Sequence, residues 1–131
     1  MLGPILEKLK DKRIVLASAS ANRKMIIEKS GLKFEQSAST FEENLPKEDF
    51  KSSKEYVIKT SEMKLYNKIE EFKSKNDKVD IIITADTIIS IFDKEVVEKP
   101  ENKEHAFKIL KDLSKRGSHE VYTSVWIAIM D

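Results

Sequence analysis

The chain has no cysteine, only three glycines and three prolines, and a single tryptophan. Without cysteine, disulfides and thiolate metal sites are excluded. No apolar run approaches the ~20 residues that a bilayer-crossing helix needs. The opening MLGPILEKLKDKR is too short and too charged for a secretory signal, so a cytoplasmic protein with no membrane partner is expected. Neither sign of charge dominates. Lys and Arg number 24 against 23 Asp and Glu, a net charge of +1, which exerts no global pull on nucleic acid or membrane. The basic residues are scattered rather than interleaved with aromatics, so no nucleic-acid polymer is expected as a partner. His105 and His119 lack HExxH or similar metal-ligand spacing and read as structural. Trp126, in the last apolar segment, reads as core.

What is present suits one α/β domain. A chain of 131 residues can bury about two-thirds of its unfolded surface. The dominant stretch is VDIIITADTIISIF, Val79 to Phe92. It is aliphatic, rich in β-branched residues and bounded by charge, as in a strand buried on both faces. Asp86 and Thr87 sit near its middle. A carboxylate in an apolar strand costs several kcal/mol unless something pairs with it. Two readings of Asp86 stay open from the run alone. It hydrogen-bonds backbone at a strand end or bend, or it holds a metal or orients a water at the end of a central strand, where open α/β sheets place their sites.

In chain order, Ile5 to Leu9 reads as a short helical turn and Arg13 to Ala17 as the first strand. Small polar residues, Ser18 to Asn22, lead into a helix from Arg23 to Ser30 with Met25, Ile26 and Ile27 inside it. Gly31 is a helix stop. A strand, a small-residue loop and a helix N-terminus suit phosphate, with Arg23 as a nearby cation, although Ser20 as a plain helix cap explains the same residues. The loop is not a P-loop. Leu32 to Ser37 reads as a second strand. Thr40 to Lys51 is an acidic loop in which Glu42 and Glu43 are by default solvated. Ser53 to Lys75 is a long helix with Ile58, Leu65, Ile69 and Phe72 on one stripe. Lys64 adjoins that stripe, where a lysine ordinarily snorkels to solvent. Asp93-Lys94 forms a tight turn, Glu95 to Val97 a returning strand, and Pro100 pushes Lys99 toward extended backbone after Glu98. Asn102 to Leu113 is a helix with Ala106, Phe107, Ile109, Leu110 and Leu113 inward. Glu120 to Met130 is the last strand, apolar on both faces: Val121, Val125, Ile127 and Ile129 on one, Tyr122, Trp126 and Met130 on the other. The order β-α-β-α-β-β-α-β predicts a central mixed sheet flanked by helices.

Five segments together resemble the Maf family of nucleotide pyrophosphatases, and are similar to the Maf-like half of acetylserotonin O-methyltransferase-like proteins. They are Leu16-Ala17-Ser18-Ala19-Ser20-Ala21-Asn22-Arg23 (LASxSPRR in the family), the acidic loop Ser39-Thr40-Phe41-Glu42-Glu43, Lys64, Ala85-Asp86-Thr87-Ile88-Ile89 (GADTVV), and Lys99-Pro100 followed by a helix, Leu113-Ser114 and His119 to Thr123 (LSGRxHxVYTGV). The resemblance implies the fold shared with inosine triphosphate pyrophosphatases. It implies a reaction that cleaves a nucleoside triphosphate, of pyrimidine or modified base, between its α- and β-phosphates. It further implies catalytic roles for Asp86, Lys64 and Lys99, substrate binding by Ser18, Ser20, Arg23 and Thr87, and Mg²⁺ or Mn²⁺ held by Glu42 and Asp86.

The chemistry matches these residue types. A triphosphate is a polyanion, and its charge must be neutralised before phosphorus is attacked. Arg suits bidentate phosphate contact and Lys acts as a point charge. Carboxylates are the hard oxygen ligands that Mg²⁺ or Mn²⁺ takes, and Asp86 is alternatively a general base. Three departures stand out. Ala21 replaces the family's loop proline, Asn22 replaces its first arginine, and KRGSH makes the turn after Ser114 one residue longer. Asn22 is expected to weaken triphosphate binding by roughly 1–3 kcal/mol where the contact is desolvated. The family continues well beyond Asp131, so residues 1–131 are expected to correspond to the N-terminal portion of a Maf domain. A flat apolar last strand is expected to recruit a second copy into a two-fold homodimer around Trp126. The alternative function is a catalytically weak nucleotide-binding or interaction module built on the same fold.

Overall fold

The computed structural model describes residues 3–42, 44–97 and 99–131. Glu43 of the acidic loop and Glu98 before Lys99 lie outside the described residues. The elements are α1 (Gly3–Leu9), β1 (Ile14–Leu16), α2 (Ala21–Lys29), β2 (Glu35–Gln36), α3 (Ser53–Ser74), β3 (Ile81–Ile91), β4 (Glu95–Val97), α4 (Lys103–Arg116) and β5 (Glu120–Ile129), with one 3₁₀ turn at Lys47–Asp49. The strands form a five-stranded mixed sheet in the order β2-β1-β3-β4, with β5 also paired to β3. The expected α/β architecture and element order are those observed.

The chain divides into two compact units, and α3, β3 and β5 contribute residues to both. The first comprises Met1–Glu43, Ser61–Ala85 and Val125–Asp131. Here β1 runs parallel to β2 and to the start of β3, with Val15 opposite both Glu35 and Ile82. Its core joins Val15, Ala17, Leu65, Phe72, Val79 and Ile82, with Trp126, Ala128 and Met130 of the β5 end packed against them. The Thr84 hydroxyl donates to the Ser61 carbonyl at 2.9 Å, which satisfies a fully buried polar group. At the rim of this unit Arg13 joins three segments. Its guanidinium pairs with Glu35 on β2 and with Asp77 ahead of β3, and donates to the Lys78 carbonyl at 2.8 Å.

The second unit comprises Asn44–Thr60 and Asp86–Ser124. β3 and β4 form an antiparallel hairpin with Ile89 opposite Val97 and Ile91 opposite Glu95. Phe92 and Asp93 both have positive φ, 54° and 53°, as a tight type I′ connection requires, and the Lys94 amide donates to the Ile91 carbonyl. The same turn caps α3. Asp93 accepts from the Ser53 amide through its carbonyl and from the Lys54 amide through its carboxylate, which satisfies orphan donors of the first helical turn. Tyr56, Val57 and Ile88 make the core here, with Phe50, Val96 and Tyr122 against it.

Several burial expectations are corrected. Ile58 is 46% exposed, and Phe107 and Leu110 on α4 are 67% and 66% exposed. α2 buries none of its residues. β5 is covered on one face only. Trp126 lies on the packed side, whereas Val121, Val125, Ile127 and Ile129 face solvent. A hydrophobic stripe requires cover to be buried, and the described elements cover the opposite faces.

Arg13 holds the Glu35 and Asp77 carboxyls below their ordinary values of 4.5 and 3.8, chiefly through its hydrogen bonds to them. Folded values below unfolded ones mean that this contribution is fully present above about pH 4.5 and lost as pH falls through the folded values. Arg13→Met should therefore lower the melting temperature modestly at neutral pH, since the pairs are part-exposed, and should flatten the acid decline. Thermal melts of both proteins from neutral to strongly acidic pH check this. An unchanged acid slope contradicts it.

Candidate functional site

In the first unit, β1 ends at Leu16 and the chain turns through Ser18 and Ser20 into α2. Ser20 caps that helix, its hydroxyl accepting from the Arg23 amide at 3.3 Å. The capping reading is therefore right, but it does not exhaust the loop. The buried Ser18 hydroxyl accepts from the Ser20 amide at 3.2 Å and from Arg23 Nη1 at 3.0 Å. Its acceptor positions are thereby engaged, which leaves the O–H as a donor. Gln36 of β2 fixes the same turn from the other side, donating through Nε2 to the Ser18 carbonyl at 2.7 Å. The structure thus brings Ser18, Ser20 and Arg23 together at the N-terminus of a nine-residue helix, where backbone N–H groups and the helix dipole favour an anion.

Glu42 and Lys64 belong to this unit too. Glu42 is exposed on the loop after β2, and Lys64 is half-buried on α3. The loop is tied to the helix just before Glu42. The Ser39 hydroxyl donates to Asn67 Oδ1 at 2.9 Å, and the Thr40 amide donates to the same oxygen at 3.2 Å. Lys68, one turn beyond Lys64, donates to the Ala38 carbonyl at 3.1 Å.

The second unit holds Asp86, Thr87 and Lys99. Asp86 is 6% exposed. It lies mid-strand in β3 and not at a strand end, which corrects that part of the expectation. The β1 register covers Ile81 to Ile83 and the β4 register Ile89 to Ile91, so Asp86 falls in the stretch of β3 outside both. Thr87 is exposed, and its hydroxyl shares a 2.9 Å hydrogen bond with that of Thr123 on β5. Lys99 is exposed in the non-helical segment before Pro100.

Each unit offers one of the carboxylates expected from the sequence, Glu42 in the first and Asp86 in the second. Glu42 and Asp86 are carboxylates, and Mg²⁺ is ordinarily held by one or two carboxylates with waters and substrate phosphates rather than by an all-protein cage. No group of three or more His, Cys, Asp or Glu forms a metal cluster among the described residues. His105 Nδ1 accepts from the Glu101 amide at 3.0 Å at the start of α4, and His119 is exposed just before β5. Sequence reading passed over Gln36, Asn67, Lys68 and Thr123. Only Thr123 had a local signal, as the threonine of the VYT motif.

The model of the family described as Maf-like protein matches residues 13–131. The chain is 38% identical over 124 residues to a fission yeast (Schizosaccharomyces pombe) protein named dTTP/UTP pyrophosphatase, covering 93% of this chain and 51% of that protein. It is 38% identical over 128 residues to a human protein named probable bifunctional dTTP/UTP pyrophosphatase/methyltransferase protein, covering 97% of this chain and 20% of that one. A Dictyostelium discoideum protein named nucleoside triphosphate pyrophosphatase is 36% identical over 127 residues, 97% of this chain and 58% of its own. The chain spans between a fifth and about three-fifths of the length of these relatives. No helix among the described residues is long and apolar enough to cross a membrane. With the family model covering the sheet, the Ser18–Arg23 turn and the Asp86 strand alike, the chain belongs to the Maf-like protein family.

Proposed function

We propose that this chain is a nucleoside triphosphate pyrophosphatase, acting on pyrimidine triphosphates of the dTTP and UTP type and releasing the monophosphate and pyrophosphate. The observation that carries this is the Ser18 turn. A buried hydroxyl with its acceptor side engaged by Arg23 Nη1 and the Ser20 amide has its proton left to donate to a phosphate oxygen. The names of the relatives support the substrate class.

In this mechanism Ser18 and the first amides of α2 bind phosphate oxygens, and Arg23 adds a planar cation able to bridge two of them. Ser20 keeps the helix start in place. Lys64 and Lys99 neutralise the remaining phosphate charge as point cations, and Thr87 contributes a hydroxyl. Asp86 accepts the proton of the attacking water, a role for which a carboxylate shielded from bulk solvent is suited. The water oxygen becomes part of the product as the α–β anhydride opens. Glu42 and Asp86 are each a carboxylate able to hold a divalent cation, which would supply further neutralisation of phosphate charge. A cytoplasmic setting accords with a chain that has no cysteine. Self-association as a homodimer belongs to the same proposal, but not around Trp126 as expected, because Trp126 packs against the core; the face of β5 that leaves Val121, Val125, Ile127 and Ile129 in solvent is an apolar row of the kind that recruits a second surface. Sedimentation should give a dimer that Ile127→Lys converts to monomer. A wild-type monomer at every concentration tested contradicts it.

Phosphorus NMR of a nucleotide panel tests the activity. Pyrophosphate and monophosphate should appear in equal amounts, fastest from dTTP and UTP. Lys64→Ala and Lys99→Ala should each slow turnover and raise KM, on the order of tenfold per lost charge contact. Their deficits should shrink at high ionic strength, where screening weakens the wild-type contacts as well. Binding of triphosphate without turnover contradicts the proposal, as does release of inorganic phosphate and a diphosphate. Unchanged kinetics in both variants contradicts the charge roles.

A further inference from the structure

The buried stripe of α3 within the first unit runs Ser61, Leu65, Lys68, Phe72. Lys68 sits where the spacing calls for an apolar residue, and it is only 1% exposed. Burying an ammonium is strongly unfavourable unless it is paired and hydrogen-bonded. Here it is both. Nζ pairs with Glu71 Oε2 at 2.7 Å, donates to the Ala38 carbonyl at 3.1 Å, and lies 5.7 Å from the centre of the Phe72 ring. Glu71 in turn is held below its ordinary value, first by the Lys68 hydrogen bond and then by Lys75.

A methionine would fill the same stripe without that cost. What the amine adds is a directed bond to a loop carbonyl. The neighbouring Asn67 extends the hold, because its Oδ1 accepts from the Ser39 hydroxyl and the Thr40 amide. The Ser39 oxygen accepts from the Phe41 amide at 3.1 Å. Four successive residues, Ala38 to Phe41, are thus fixed directly or through one atom to a single turn of α3. The next residue is Glu42, and the preceding turn of the same helix carries Lys64.

We propose that Lys68 and Asn67 are positioning residues that hold the Ala38–Phe41 segment on α3, so that Glu42 is preset to receive a divalent cation beside the Lys64 turn. The inference rests on the reading of Glu42 as a metal-holding carboxylate. Fixing the backbone of a loop residue costs conformational entropy. A loop already fixed by the fold spares that cost when the ion arrives.

The experiment measures two quantities on Lys68→Met, Asn67→Ala, Lys75→Met and Glu42→Gln. The first is amide hydrogen exchange over residues 39–42. The second is the dissociation constant of Mn²⁺ alone, by calorimetry. Lys68→Met and Asn67→Ala should exchange faster in that segment and bind Mn²⁺ about tenfold more weakly, as loss of groups that orient a ligand does. Lys75→Met removes the exposed partner of Glu71 and should leave both quantities at wild-type values. Asn67 is only half-buried, so its variant decides the matter if Lys68→Met does not fold. Unaltered exchange in the folded variants overturns the tether. Faster exchange with native Mn²⁺ affinity overturns the positioning role. Native affinity in Glu42→Gln overturns the metal reading itself, whereas lost affinity there with native affinity in Lys68→Met and Asn67→Ala overturns only the inference made here.

Discussion

A carboxylate in the middle of a buried strand is the constraint on which the rest of the molecule depends. Asp86 sits in β3 with Ala85 and Ile88, themselves buried, close by along the strand. Desolvating a carboxylate costs several kcal/mol, and a fold tolerates it only when surrounding interactions exceed that cost. Apolar burial meets the requirement on both sides in sequence. Ile82 anchors one core with Val15, Leu65 and Phe72, and Ile88 anchors another with Tyr56 and Val57. β1 is hydrogen-bonded to the first three residues of β3 and β4 to the last three. The stretch bearing Asp86 and Thr87 lies between those two registers, with Thr87 bonded through its hydroxyl to Thr123 on β5.

The same division of labour holds for the Ser18 turn. Local bonds fix its shape: the Ser20 cap, the Ser18–Arg23 contact and the Gln36 bond from β2. None of these needs a ligand to form. A turn that is already shaped binds an anion without first having to be ordered. Asn22 stands at the position of a family arginine and faces solvent at the start of α2. The basicity of the loop therefore rests more heavily on Arg23 than in the motif it resembles.

Much of this was legible in the residues. The β-branched run gave β3 within two residues at each end, because strand length and composition agree there. The β3–β4 hairpin was legible too, although its turn is centred on Phe92-Asp93 and not on Asp93-Lys94, and α4 was legible from Asn102 onward. The Ser18–Arg23 loop and the Asp86 strand were legible as motifs, since each is local in sequence. Cover was not. Ile58, Phe107 and Leu110 have helical spacing yet remain exposed, while Lys68 is buried, because burial depends on which distant segment lies over a face. Lys68 is covered in part by the Ala38 segment, 30 residues away, and no periodicity within α3 reports that. The capping of α3 by Asp93 was hidden for the same reason, as its partner is 39 residues downstream of Lys54. The mid-strand place of Asp86 depended on pairings of β1 and β4 that only register reveals.

The central claim is that the cost of burying Asp86 is borne for catalysis. Asp86→Asn keeps the size of the side chain and removes its charge. Unfolding free energy and turnover of dTTP, measured on the same preparation, decide the matter. The account predicts a stability no more than about 1 kcal/mol below the parent and a turnover reduced by at least about a hundredfold, the usual scale for a lost general base. A loss of about 3 kcal/mol or more, as expected when a buried pair is broken, with turnover maintained in the folded fraction, would contradict it.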